Sequence, residues 1–109
     1  MAVTPEGKIK KLVNKVLDEF VGPDLSQPEL YRYWPVPSGF GKSSLDCIVC
    51  YRGRFIAIET KTPGKKPTPR QELCIEEMKC AWADVFVIDS KAGCDELRAL
   101  LKELQCRQL

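Results

Sequence analysis

Two short runs of β-forming residues, 45–51 and 55–60, constrain the fold of this chain most strongly. Both are rich in β-branched and aromatic residues, and the turn-forming pair Arg52-Gly53 lies between them, which predicts a β-hairpin. Antiparallel pairing around that turn makes Cys50 the partner of Phe55. The same register places Asp46 directly opposite Glu59, near the end of the hairpin remote from the turn.

The predicted hairpin places two carboxylates and an ammonium on one face. Cross-strand partners have Cβ atoms about 4.5 to 5.5 Å apart, so Asp46 and Glu59 are close enough for one hard cation to bridge them. Lys61 follows Glu59 by two positions and points to the same face. Such a cluster suits phosphodiester hydrolysis with Mg²⁺ or Mn²⁺. The alternative interpretation is an ordinary cross-strand ion pair at a sheet edge.

The remaining sequence predicts three helices and two more strands around the hairpin. Apolar residues recur at helical spacing in three segments, and capping residues or prolines mark their ends. The helices are predicted at 5–20, 68–80 and 95–106, and the strands at 30–36 and 84–88. The strand at 84–88 is apolar enough to be buried. The predicted order is therefore α-β-β-β-α-β-α.

Composition bounds the size and the surface of the protein. With 109 residues, 44% of them hydrophobic, the chain is expected to form one domain over residues 1–109. Lys and Arg outnumber Asp and Glu by only 17 to 15, so any surface that binds nucleic acid has to be local. The chain has no apolar run near the ~20 residues of a membrane span and no signal-peptide pattern, which predicts a cytoplasmic protein without membrane contact.

Six cysteines allow three interpretations, namely disulfides, a zinc site or small core residues. A disulfide framework requires an oxidising compartment, which nothing in the sequence indicates. Cys47 and Cys50 have the spacing of a zinc pair, but residues three apart on a strand face opposite sides, and the chain has no histidine. We therefore expect the cysteines to be small core hydrophobes. They are Cys47, Cys50, Cys74, Cys80, Cys94 and Cys106.

At the hairpin the sequence resembles the PD-(D/E)XK nuclease superfamily and, within it, the small VRR-NUC-like nucleases found in phages. The shared pattern is an aspartate at the start of one strand and Glu-x-Lys at the end of the next, here Asp46 and Glu59-Thr60-Lys61. Similar segments extend over most of the chain: Thr4-Pro5-Glu6-Gly7-Lys8, Gly39-Phe40-Gly41-Lys42-Ser43, Tyr51-Arg52-Gly53-Arg54-Phe55 and Gln71. The family usually has proline before the aspartate, whereas this chain has Leu45.

The resemblance implies an α/β, restriction-endonuclease-like fold with a mixed central sheet flanked by helices. It further implies a Mg²⁺- or Mn²⁺-dependent DNA endonuclease, with branched or junction DNA as a candidate substrate, that acts as a homodimer. Three residues are expected at the metal: Asp46, Glu59 and Thr60. Five residues are expected in catalysis: Asp46, Glu59, Lys61, Gln71 and Glu6.

Two of these residues also have structural interpretations. Glu6 lies about 50° from the apolar stripe of the first helix and Glu19 about 90°, so Glu6 is the better candidate, yet an acidic residue in a first turn is also favoured by the helix dipole. Gln71 forms a predicted capping box with Thr68, which is compatible with a catalytic role.

Four basic residues near the hairpin are predicted to contact DNA: Lys42, Lys65, Lys66 and Arg70. A solvated loop is the alternative for residues 61–66. The aromatic residues Tyr31, Tyr33 and Trp34 are expected to be core or interface residues rather than to stack on unpaired bases. Two other function classes stay open from the sequence: a catalytically silent DNA-binding module on the same fold, and a zinc-stabilised protein-interaction domain.

Overall fold

A four-stranded mixed sheet is the centre of the computed structural model, which describes residues 4–36 and 41–107. Strands β1, β2 and β3 pair antiparallel, and β4 pairs parallel to β3. The strands are β1 Leu30–Tyr33, β2 Cys47–Tyr51, β3 Arg54–Thr60 and β4 Asp84–Ile88, and the helices are α1 Pro5–Asp18, α2 Pro69–Cys80 and α3 Lys91–Cys106. The predicted α/β fold with a mixed sheet flanked by helices is confirmed, as is the predicted order of elements.

The β2–β3 hairpin has the predicted register. Cys50 pairs with Phe55, and pairing continues to Tyr51 and Arg54, so the turn contains two residues only. Arg52 and Gly53 both have positive φ, 51° and 78°. Two successive left-handed residues form the hairpin turn whose twist matches that of the strands, and glycine adopts this conformation at little cost.

Strand alternation gives the sheet two different faces. Cys47, Val49 and Tyr51 of β2 point to one face and pack against α1 and α3, where the larger core cluster lies. On the other face a smaller cluster packs under α2 and contains Leu45, Ala57, Cys74 and Ile75. By the same alternation, Asp46 and Glu59 point to this second face, the one that α2 partly covers.

Helix α2 connects two parallel neighbouring strands. A helix in such a crossover starts beside the carboxyl end of the first strand and runs back along the sheet. The N-terminus of α2 therefore lies near the end of β3, where Glu59 is located.

Two expectations about the C-terminal part of the sequence are wrong. Helix α3 begins at Lys91 rather than at Asp95, because the Ser90 side chain accepts a hydrogen bond from the N–H of Gly93 and caps an earlier turn. A Cβ at Gly93 would lie 3.2 Å from Ile88 Cγ2, so the glycine permits close packing there. Strand β4 is an edge strand, and only Ile88 in it is buried.

The expectation of buried cysteines is correct for three residues and wrong for three. Cys47, Cys74 and Cys94 are buried, whereas the other three are exposed: Cys50, Cys80 and Cys106. Cys47 and Cys50 lie on opposite faces of β2, as their spacing predicts. All six thiols are free.

Of the two interpretations of Tyr31 and Tyr33, as core or as interface residues, the core interpretation is wrong, and the interface interpretation stays a prediction. Their side chains are exposed, because β1 lies at the other edge of the sheet and α2 does not cover it. Trp34 is half-buried, and its Nε1 donates a hydrogen bond to Asn14 Oδ1. No helix within residues 4–36 and 41–107 is both long and apolar enough to cross a bilayer.

The hairpin turn yields a stability prediction. Gly53→Ala should lower the free energy of unfolding by about 1 kcal/mol, because a Cβ disfavours the left-handed conformation. Gly53→Asn should cost less, since asparagine tolerates this conformation better. Urea denaturation of both variants and the wild type tests the turn. Equal stability of all three proteins would contradict the left-handed geometry at Gly53.

Candidate active site

Asp46 and Glu59 hold each other at the end of the hairpin remote from the turn. Asp46 directly precedes β2, and Glu59 is the second-last residue of β3. The backbone N–H of Asp46 donates to Glu59 Oε1 at 3.2 Å. In return, Asp46 Oδ2 accepts hydrogen bonds from the backbone N–H and the hydroxyl of Thr60, both at 2.8 Å. These bonds fix the orientation of both carboxylates.

Lys61 completes the predicted cluster. Its Nζ lies 3.8 Å from Glu59 Oε2, and its side chain is only 15% exposed. The Glu59 side chain is 3% exposed, so this ion pair is largely shielded from water. Shielding strengthens the attraction between the two charges relative to a surface pair.

Gln71 joins the cluster from the N-terminus of α2. Its Nε2 donates to Glu59 Oε2 at 2.9 Å. Its Oε1 accepts from the backbone N–H of Thr68 at 2.9 Å, and its own N–H donates to the Thr68 hydroxyl. The capping box is thus present and directs the amide toward Glu59.

The charge balance of the cluster is negative. Burial, together with the nearby charge of Asp46, raises the pKa of Glu59 to about 7, although Lys61 opposes both effects. Two carboxylates face one ammonium, so full ionisation leaves an uncompensated negative charge. A bound cation would compensate it.

The oxygen donors of Asp46 and Glu59 fit a hard divalent cation. Mg²⁺ is usually held by one or two carboxylates, with waters and substrate phosphates as its other ligands. Each carboxylate oxygen has more than one lone pair, so the hydrogen bonds described above leave acceptor capacity for a metal. Thr60 is buried and donates its hydroxyl to Asp46, and its expected place at the metal stays a prediction.

Glu6 is not brought into this cluster. It lies in the first turn of α1, and α1 packs on the sheet face opposite to α2. Within the part of the chain that the structure describes, no three Asp, Glu, Cys or His residues form a group that could hold a metal. The catalytic role expected for Glu6 stays a prediction.

The four basic residues lie in two places. Lys65 and Lys66 are exposed in the segment between β3 and α2, which a hydrogen bond from Gly64 N–H to Asp89 Oδ2 ties to the end of β4. Lys42 and Arg70 line a shallow cavity of about 240 Å³ beside α2, where Lys42 Nζ pairs with Glu77 Oε1 at 2.5 Å. No local sequence pattern indicates these contacts of Asp89 and Glu77.

A solved structure described as a VRR_NUC domain is similar to this chain. It aligns with a TM-score of 0.69 and 23% sequence identity over 86% of this chain and 94% of that one. This chain has the fold of a VRR_NUC domain. The resemblance drawn from the sequence to VRR-NUC-like domains is thereby confirmed at the level of the fold. No family model matches the sequence, and no curated protein does.

The raised pKa of Glu59 predicts how the stability of this VRR_NUC-like fold varies with pH. A carboxyl whose pKa rises from 4.5 to about 7 on folding loses up to about 3 kcal/mol of stabilisation as pH rises through that interval. The metal-free protein should therefore be less stable at pH 8 than at pH 5. Glu59→Gln should remove most of this dependence, because an amide does not titrate.

Urea denaturation in EDTA at both pH values measures the effect. Glu96→Gln is the matched control, since Glu96 is exposed on α3 and should leave the dependence unchanged. If the Glu59 variant keeps the pH dependence of the wild type, Glu59 is not the group responsible.

Proposed function

We propose that this protein is a divalent-metal-dependent DNA endonuclease that hydrolyses phosphodiester bonds with Mg²⁺ or Mn²⁺. The set of contacts that joins Asp46, Glu59 and Lys61 carries the proposal. Two carboxylates and a shielded ammonium, fixed by hydrogen bonds at one end of a sheet, suit chemistry on a phosphate group. The VRR_NUC fold supports a nuclease as the general class.

Asp46 and Glu59 would hold the metal. The chemistry that a divalent cation would supply there is a more acidic water and positive charge to offset that of the phosphate. Thr60 keeps Asp46 in place through two hydrogen bonds, and Gln71 does the same for Glu59 through one. Preorganised ligands need no rearrangement during the reaction, which lowers its barrier.

Lys61 would act on the reacting phosphate. Its ammonium lies 3.8 Å from Glu59 Oε2 and is held there by the ion pair. When a cation balances the carboxylates, the ammonium is available to stabilise charge that develops on the phosphate oxygens or to orient the attacking water. This role predicts a larger effect on the rate of cleavage than on affinity.

Lys65 and Lys66 would bind the flanking DNA. Both are exposed and follow Lys61 in the segment that leads to α2. Arg70 and Lys42 would extend this positive surface along α2, with Lys42 exchanging Glu77 for a phosphate. The net charge of +2 agrees with binding that depends on a local surface rather than on the whole molecule.

The zinc-stabilised interaction domain has less support. Cys47 is buried beneath α1 and α3, whereas Cys50 is exposed on the opposite face, so the two thiols do not converge. A catalytically silent DNA-binding module stays testable by the cleavage experiment below. The homodimer stays a prediction that sedimentation can test.

Removing one carboxylate charge should abolish cleavage without unfolding the protein. Asp46→Asn keeps an oxygen that can accept from Thr60 but weakens metal binding, and cleavage of duplex and branched DNA with Mg²⁺ or Mn²⁺ should fall by about 100-fold or more. Glu96→Gln should cleave like the wild type. Cleavage by the Asp46 variant at the wild-type rate would remove Asp46 from the site, and a wild type that binds but never cuts would favour the silent module.

Substitutions of the lysines should distinguish DNA binding by Lys65 and Lys66 from catalysis by Lys61. Replacing Lys65 and Lys66 by alanine should flatten the slope of log affinity against log salt by up to about two units, because each neutralised phosphate contributes roughly 0.7 to 0.9. Lys61→Met should instead lower the single-turnover rate at saturating DNA. Replacing Lys91 and Lys102, both exposed on α3, is the matched control. A Lys65/Lys66 variant that loses rate but keeps its salt slope would contradict this division.

A further inference from the structure

Two tyrosines on the edge strand β1 have side chains that the fold does not use. Tyr31 is 65% exposed and Tyr33 is 54% exposed. Their neighbours point the other way: Leu30 is buried in the larger core cluster, and Arg32 bonds to Asn14 and Asp18 of α1. Neither tyrosine hydroxyl has a hydrogen-bond partner among the described residues. Packing therefore gives no reason for these rings.

The strand register puts both rings on the face that carries the carboxylates. Tyr31 pairs with Cys50, and Tyr33 pairs with Ile48, a residue that packs toward α2. Asp46 lies two residues before Ile48, so its side chain points to the same face. With about 3.4 Å per residue along a strand and 4.8 Å between strands, Tyr33 lies roughly 8 Å from Asp46 and Tyr31 roughly 14 Å.

Several side chains around the tyrosines on this face are exposed or half-buried, among them Cys50 and Ile48. Helix α2 covers the β3 and β4 side of this face, whereas Cys50 next to Tyr31 is exposed. Phe55, the partner of Cys50 on β3, is 45% exposed and borders a cavity of about 470 Å³ together with Lys42. Tyr31, Cys50 and Phe55 thus form one cross-strand row, and the carboxylates with Lys61 lie further along the same face.

We propose that Tyr31 and Tyr33 stack on unpaired bases of the DNA whose backbone the carboxylate site cleaves. This inference rests on the proposed nuclease function. Flat exposed rings are elements on which single strands stack, since every base has a π-face. In a duplex those faces are covered by neighbouring bases, so only an unpaired or splayed strand can use the tyrosines.

The spacing sets where the unpaired bases lie. Stacked nucleotides advance about 3.4 Å each, so the two tyrosines meet bases about two to four nucleotides from the scissile bond. The substrate class is therefore DNA with a single-stranded segment next to the cut, rather than a continuous duplex.

Binding measured without metal tests this surface independently of cleavage. The probes are a fluorescent 15-nucleotide single strand, the same strand with abasic sites at its centre, and a hairpin duplex with as many phosphates, all in EDTA. The Tyr31→Thr/Tyr33→Thr double variant should bind the intact single strand at least about tenfold more weakly, because stacking contributes about that much per base. Its affinity for the duplex and the abasic strand should change by no more than about twofold.

Two further variants distinguish stacking from structural effects. Tyr31→Phe/Tyr33→Phe keeps the rings and should keep wild-type affinity. Trp82→Thr removes an exposed aromatic ring beyond the C-terminus of α2, at the end remote from Gln71, and should not affect the single strand. An unchanged affinity of the threonine variant, an equal loss for all three probes, or an equal loss in the phenylalanine variant would overturn the proposal.

The remaining outcomes separate the two proposals. If the wild type cuts DNA with Mn²⁺ but the threonine variant binds the single strand normally, the result supports the nuclease function and contradicts the stacking surface. If the wild type cuts no DNA but needs the tyrosines to bind single strands, the result supports the stacking surface and contradicts the nuclease function. A threonine variant with a smaller sedimentation coefficient than the wild type would show that a second copy of the chain covers this face, which also overturns the proposal.

Discussion

The register of the β2–β3 hairpin is the constraint on which the rest of the structure depends. A shift by one residue would turn Glu59 into the core beneath α1 and α3 and bring Ile58 to the face of Asp46. The two left-handed residues of the turn set this register at one end. The bonds between Asp46, Glu59 and Thr60 hold it at the other, where β2 has already ended. The candidate site is thus also the clamp that closes the hairpin.

The same carboxylates that suit a metal are unfavourable to each other when no cation balances their charge. Glu59 is almost fully buried next to Asp46, and the pKa of Glu59 is raised to about 7 because its charged form is poorly compensated. One ammonium, that of Lys61, offsets part of this cost. A cation would stabilise the folded protein as it binds, because the unfolded chain does not hold the two carboxylates together. Stability and metal affinity are therefore linked through one residue.

Local patterns predicted the parts of the structure that depend on neighbouring residues in sequence. The hairpin register, the limits of α2 and β4, and the Thr68–Gln71 capping box are all of this kind. What depends on the position of a strand in the sheet could not be predicted. An apolar segment at an edge has fewer neighbours than the same segment at the centre, so Val87 and Tyr33 are exposed although their sequence context indicates burial. The contact between Gln71 and Glu59 also needed the crossover, which no local pattern contains.

The two faces of the sheet have different roles, which explains how so small a domain combines an apolar core with a charged site. The face toward α1 and α3 is almost entirely apolar and contains the larger cluster of buried side chains. This leaves the other face free to carry groups that are costly to bury. Helix α2 covers only part of that face, at β3 and β4, and its first turn reaches Glu59. Because Tyr31, Tyr33 and Cys50 stay exposed on this face, the proposed single strand could lie along β1 beside the carboxylates, which a second full helical layer would prevent.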